Sequence, residues 1–200
     1  MANEYADLAA LKGTLNIETA DTTADAALNR ALTAASRSID RTCGRRFWLD
    51  PAPVARTYRL RGRLLCEDDG ELLLTDDIGS ATGLVVETGS GSTWTTAAGW
   101  ETAPENAAVE GRPVTGLLRT GGTWGWDHTS ARVRVTARWG WPQVPDEVVQ
   151  ATLIQAARLY RRKDSPEGVT GSAEWGVVRL SRRDPDVWAL IEGLILHGFG

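Results

Sequence analysis

Residues 144–168, VPDEVVQATLIQAARLYRRKDSPEG, read as one amphipathic helix with both ends marked. Pro145 has a fixed φ and no N–H to lose, which suits a first turn. Asp146 and Glu147 set negative charge at the N-terminal end of the helix dipole. Val149, Leu153, Ala156, Ala157 and Tyr160 recur at spacings of three and four, so they share one face. Arg161, Arg162 and Lys163 bring positive charge to the C-terminal end, and Ser165-Pro166-Glu167-Gly168 stops the helix. The segment carries no catalytic group. It is built to pack along one side and to present charge at its end.

Helical texture frames the chain on both sides. Residues 4–12 predict a short helix with Tyr5, Leu8 and Leu11 on one side, ended by Gly13. A connector over 14–21 points Leu15 and Ile17 inward. A second helix is expected from near Thr22, with Thr22 and Asp25 at capping-box spacing. Its apolar stripe is Leu28, Ala31, Leu32, Ala35 and Ile39, and Gly44 suits the C′ position. The alanines let another helix approach closely. A last helix opens at Asp184-Pro185-Asp186, an N-cap followed by an N1 proline and a dipole-matched acid. Val187, Leu190, Ile191, Leu194 and Ile195 form its apolar face, and Val177, Val178 and Leu180 before it suit a short strand.

At Asp50-Pro51-Ala52-Pro53 the helical period gives way to short alternating runs separated by Gly, Asp and Ser, the signal of antiparallel sheet. Candidate strands are 54–61, 63–67, 71–75, 82–88, 92–96, 114–119 and 131–139, with a hairpin turn at Asp68-Asp69-Gly70. Residues 99–113, poor in apolar side chains, read as a long loop. The expected class is α+β: a small helical bundle made of residues 1–50 and 144–200 packed together, with an antiparallel β region inserted at 51–143.

Two hundred residues allow one domain, or one domain carrying a sizeable insertion. The 26 acidic and 22 basic residues give a net charge of −4 and are mixed along the whole chain, which disfavours a broad phosphate grip. Arginine supplies nearly all the positive charge; the lysines are Lys12 and Lys163. Cys43 and Cys66 sit in unlike contexts and read as two buried reduced thiols rather than a staple. The N-terminus lacks the basic and apolar regions of a secretory signal, and no apolar run approaches the ~20 residues of a membrane span, so a soluble intracellular protein is expected.

Catalysis needs a base, a nucleophile or a metal. His128 and His197 share no spacing with Cys, Asp or Glu, and the acids Glu67, Asp68, Asp69 and Glu71 lack a calcium-loop pattern. Neither Gly89-Ser90-Gly91 nor Gly121-Gly122 is a phosphate loop. The chain is therefore read as no enzyme, without cofactor or metal. Nine tryptophans invite three readings: core filling of a small sheet, a protein–protein contact, or an exposed row that stacks on sugars or bases. Trp139 favours the first, since Val133, Val135, Ala137 and Trp139 alternate with Arg132, Arg134 and Arg138. Residues 54–61 alternate likewise, Tyr58 and Leu60 against Arg59 and Arg61. If the two strands are neighbours, the sheet has an arginine-lined outer face that calls for acidic partners.

Three segments together resemble the head-to-tail adaptor (connector) proteins of long-tailed bacteriophages, in the form found in actinobacterial phages. They are AALNRALTAASRSIDRTCGRRF at 26–47, ending in Gly44-Arg45-Arg46-Phe47; the helix VPDEVVQATLIQAARLYRRKDSPEG; and DPDVWALIEGLI at 184–195 preceded by GVVRLSRR. The resemblance implies a structural protein of the virion neck, assembled in the host cytoplasm with no membrane. It implies a homo-oligomeric ring, usually of twelve copies, beneath the portal protein. A stopper or tail-terminator protein sits on the far side, and double-stranded DNA passes loosely through the lumen. For this chain it implies a portal-binding arm comprising Trp188, Leu190, Ile191, Leu194, Ile195, Leu196 and Phe199. Subunit contacts would fall to Arg45, Arg46, Arg158, Arg161, Arg162, Lys163, Arg132, Arg134 and Arg138. The alternative is a Trp-rich glycan-binding module of a virion surface.

Overall fold

A computed structural model describes residues 3–125, 131–162, 169–170, 178–179 and 184–196. It is an α+β protein of helices and a seven-stranded antiparallel sheet, dividing into two compact units. One unit takes the chain up to Phe47 and again from Val144; the other is Trp48–Gln143.

The helical unit contains α1 (Leu8–Leu15), α2 (Asp25–Cys43), α3 (Asp146–Arg161) and α4 (Pro185–Ile191). Helix α1 starts later than expected, capped by Asp7, whose carboxylate accepts the Ala10 N–H at 2.6 Å. It runs through Gly13 to a left-handed Asn16. Lys12 decides this: its ammonium is buried and donates to the carbonyls of Thr19 (3.1 Å) and Asp21 (2.8 Å), while Asp25 lies 2.6 Å away. The expected capping box at Thr22 does not form; α2 begins at Asp25, which is turned to Lys12 instead.

The α2 stripe is as read: Leu28, Ala31, Leu32, Ala35 and Ile39 are all buried. Against it α3 brings Ala156 and Ala157, and Leu11 of α1 joins the same cluster. The buried face of α3 is Val148, Ala151, Thr152, Ala156 and Ala157, rotated from the predicted Val149–Leu153 line. Thr152 is admitted because its hydroxyl donates to the Val148 carbonyl one turn back at 2.7 Å. Strands β8 (Val169–Thr170) and β9 (Val178–Arg179) pair antiparallel; Val177, Leu180 and the stop at Ser165–Gly168 lie outside the described residues.

The β unit contains β1 (Val54–Arg59), β2 (Leu64–Glu67), β3 (Gly70–Ser90), β4 (Thr93–Thr96), β5 (Trp100–Ala103), β6 (Val114–Thr120) and β7 (Arg132–Trp139). The predicted strands 71–75 and 82–88 are one strand, β3. Its first part pairs with β2 and β6, its last part with β4 and β7, and Ile78 is registered against both Val114 and Trp139. The supposed loop 99–113 contains β5, an edge strand on β6. The turn after it is closed by Arg112 N–H on Ala107 O (2.8 Å) and Gly111 N–H on Ala108 O (3.3 Å).

The expected neighbours β1 and β7 do pair, and their inner residues meet Leu73, Ile78, Val86 and Leu117 in one core. Trp139 is its largest fully buried side chain. Its indole N–H donates to Val54 O at 2.7 Å and the Arg56 guanidinium lies 4.4 Å over its ring. Replacing it leaves a cavity and orphans the Val54 carbonyl. Trp139→Ala is expected to destabilise the protein by about 3–5 kcal/mol, read as a lowered denaturant midpoint.

Candidate functional site

The helical unit gathers the predicted C-terminal arm on the end of α2. Asp184 holds it there with one carboxylate used twice. Oδ1 caps α4, accepting the N–H of Asp186 (3.0 Å) and Val187 (3.4 Å), and Oδ2 receives Arg158 of α3 at 3.1 Å. Ile191 is buried, which commits it to its own subunit. Trp188 and Leu190 are half-buried, as are Leu194 and Ile195 beyond them. A groove of about 100 Å³ lies among Ser38, Ile39, Thr42, Gln155, Val187 and Trp188. A 3₁₀ turn, Glu192–Leu194, then carries the chain back so that Leu196 N–H bonds the Cys43 carbonyl at 2.8 Å. Leu196 itself is exposed, and Phe199 lies outside the described residues.

Gly44 makes this crossing possible. It ends α2 in the left-handed region at φ 65°, and a Cβ there would already touch Leu196 O at 3.5 Å. The following Arg45 and Arg46 are half-buried and engaged within the chain, and Phe47 is fully buried. Phe47 packs edge-on to Tyr5, with ring centroids 5.8 Å apart, and its N–H donates to the Tyr5 hydroxyl at 2.9 Å. That hydroxyl donates in turn to Asp40, and Tyr5 N–H is bonded to Ser36 Oγ at 3.1 Å. Burial pushes the Tyr5 phenol well above its ordinary range, with the Asp40 bond adding to it. Burial also raises Asp40, against the opposing pull of the Tyr5 bond and of Arg37. Tyr5 is thus a lock on the 44–47 turn. A sequence reading that placed it on a helix face misses this; its phenol was the one available signal.

The remaining predicted contact residues are dispersed. Arg161 and Arg162 are exposed at the end of α3, while Lys163 lies outside the described residues. Arg158 belongs to the Asp184 pair. On β7, Arg132, Arg134 and Arg138 point away from the core as expected. Arg134 forms a forked pair with Glu87 (2.7 and 2.8 Å) and lies 4.4 Å over Trp94; Arg138 Nε donates to Asp50 O at 2.8 Å. Arg134 holds the Glu87 carboxyl below its ordinary range by that bonding. The acidic partner expected for the arginine face is therefore, at Arg134, within the chain.

Among the described residues no three His, Cys, Asp or Glu side chains are placed to hold a metal. No described helix is long and apolar enough to cross a membrane. His128, His197, Trp126 and Trp175 lie outside the described residues. Trp124, Trp139 and Trp141 are buried, and Trp48, Trp94, Trp100 and Trp188 half-buried, so the described tryptophans form no exposed row.

No protein-family model matches the sequence, and no curated protein matches it. Solved structures do. One is a chain from the neck of an empty gene transfer agent (GTA) particle computed with C6 symmetry. It is 20% identical with a TM-score of 0.56, over 99% of this chain and 94% of that one. Another belongs to the virion of a native GTA particle, at 20% identity and TM-score 0.53, over 100% and 97%. At this identity the likeness is one of fold, and it runs the length of both chains.

The cysteines give a direct check of the crossing. Cys43 is buried beneath it, as expected, and its thiol is pushed up to about 11 by burial; Cys66, also expected to be buried, is instead exposed on β2. Thiol titration at pH 8 should find one fast-reacting cysteine in the folded protein, lost in Cys66→Ser, and two after denaturation. Gly44→Val should expose the second by displacing the arm.

Proposed function

We propose that this chain is a head-to-tail adaptor of a tailed phage or phage-like particle, of the kind its three quoted segments resemble. A ring of its copies sits beneath the portal, extends the DNA channel and offers the attachment surface for a stopper or tail-terminator protein. The fold shared end to end with a chain of a particle neck carries this reading. The role is structural and non-catalytic, exercised in the virion after assembly in the host cytoplasm.

The residues suit that role. Small side chains between α2 and α3 let the two helices pack closely. In the proposed portal contact, Trp188, Leu190, Leu194, Ile195 and Leu196 offer apolar surface from the arm, with Phe199 beyond them, and Ile191 anchors it. Arg161 and Arg162 stand clear of the frame and are proposed to meet a neighbouring copy. A channel must let DNA slide, so the mixed, near-neutral charge is what a loose lumen requires.

The mass of the purified chain, measured by light scattering with and without the portal of its own particle, tests this. A portal-bound assembly of about twelve copies is expected; a monomer that ignores the portal would overturn the reading. Arg161→Glu with Arg162→Glu should leave the melting temperature unchanged, because exposed charges contribute little to stability. The same double variant should sharply reduce the portal-bound mass.

A further inference from the structure

The outward faces of the two halves of the sheet differ in kind. Pairing places Leu65, Leu72, Leu74 and Leu118 on the face of β2, β3, β6 and β5 opposite to buried Leu73 and Leu117. A methyl built on Gly116 would lie 2.7 Å from Leu72 Cδ1, so Leu72 lies across this outer face. Leu65 is 43% exposed and the other three are half-buried. Glu67, Asp69, Glu101 and Glu105 border a depression of about 200 Å³ whose apolar lining includes Leu72 and Leu118. An outward strand face is ordinarily polar. An apolar patch with a charged rim marks a protein contact.

The other half has the complementary chemistry. On the outer face of β4, β3, β7 and β1, Val85 is 43% exposed and Trp94 half-buried. Exposed Arg59 stands directly opposite Arg132 in the β1–β7 register, and Arg61 follows just past the end of β1. Arg59 and Arg61 thus give this face exposed positive charge, complementary to the carboxylate rim of the leucine face.

We propose that the leucine face of one copy docks on the arginine face of the next. Glu67, Glu101 and Glu105 meet Arg59 and Arg61, and the leucines cover Val85 and Trp94. Such a contact is head-to-tail: each copy uses one face toward each neighbour, and it makes a ring when the rotation between copies closes. A two-fold dimer is disfavoured, since either face against its own copy sets like charges together. The inference rests on the ring reading for closure and adds the surfaces that make it.

Two variants separate it from that reading. One carries Glu67→Arg, Glu101→Arg and Glu105→Arg; the other carries Arg59→Glu and Arg61→Glu. All five positions are exposed, so both should melt like the unmodified chain. Light scattering is read for each alone and for an equal mixture, with and without the portal. Each variant alone should assemble at least roughly tenfold more weakly. The mixture should recover the unmodified mass, because an alternating ring joins reversed to reversed and native to native faces. Variants that assemble alone like the unmodified chain would overturn the contact and leave the ring standing. So would a mixture that stays dispersed, or loss confined to the glutamate variant, which would give the leucine face to another neck protein. An unmodified chain that stays monomeric on the portal overturns both.

Discussion

One strand holds the sheet together, and the close approach at Ile78 and Gly79 is the constraint the β unit depends on. β3 must leave the β2–β6 half and enter the β4–β7 half without breaking, so its pairing shifts register on either side of Ser80. At that crossing Gly140 N–H bonds Asp77 O at 2.8 Å. A Cβ on Gly79 would fall 2.7 Å from Gly140 O and 2.6 Å from Leu49 Cδ1. No other residue fits there. The acids beside it are held by side chains: Trp141 donates to Asp77 at 3.1 Å, and Arg56 and the Tyr58 hydroxyl meet Asp76 at 2.6 and 3.1 Å. Because β3 crosses intact, both halves share one core through Ile78 and Trp139, and each keeps an outer face of its own.

That constraint also explains where the sequence was hard to read. Asp76-Asp77-Ile78-Gly79-Ser80 has the composition of a turn, and a local reading cuts β3 in two. The residues are there for contacts distant in sequence, which composition does not encode. Lys12 is the same case: periodicity ends α1 at Gly13, but a buried ammonium binding two carbonyls holds the helix longer and takes Asp25 from its capping role. Where the determinants are local the reading holds. The α2 stripe, the Gly44 turn, the Asp184 cap and the alternation of β7 follow from spacing alone. The candidate docking arm was legible as an apolar helix. Its crossing onto Cys43 was not, because a single backbone hydrogen bond has no sequence signature.

The charge distribution separates the uses of arginine in this chain. Arg134 is consumed by Glu87 and Trp94, and Arg158 by Asp184, so these two build the units. Arg59, Arg61, Arg161 and Arg162 stay exposed. A planar, forked donor loses less on ordering than lysine and keeps its charge when partly desolvated, which suits the proposed contacts between copies. The tryptophans divide likewise. Those that bury their rings also place their N–H groups, as Trp124 does on Glu71 O at 2.9 Å. They serve the core and leave little for a stacking surface.

Leucines recur in runs of two or three along three adjacent strands. Leu64-Leu65, Leu72-Leu73-Leu74 and Leu117-Leu118 each lie in a strand, where neighbours must point to opposite faces. A sheet solvated on one side has no use for the second leucine of a doublet. Two doublets and one triplet in three adjacent strands therefore encode two apolar faces, one for the shared core and one left outward. Outward leucines on an isolated chain risk aggregation, which a rim of carboxylates moderates by repelling copies that approach face to face. In the proposed contact the same rim attracts a copy that presents arginines. Selection for an ordered head-to-tail assembly over a disordered one would keep both features together, in the strands where they are found.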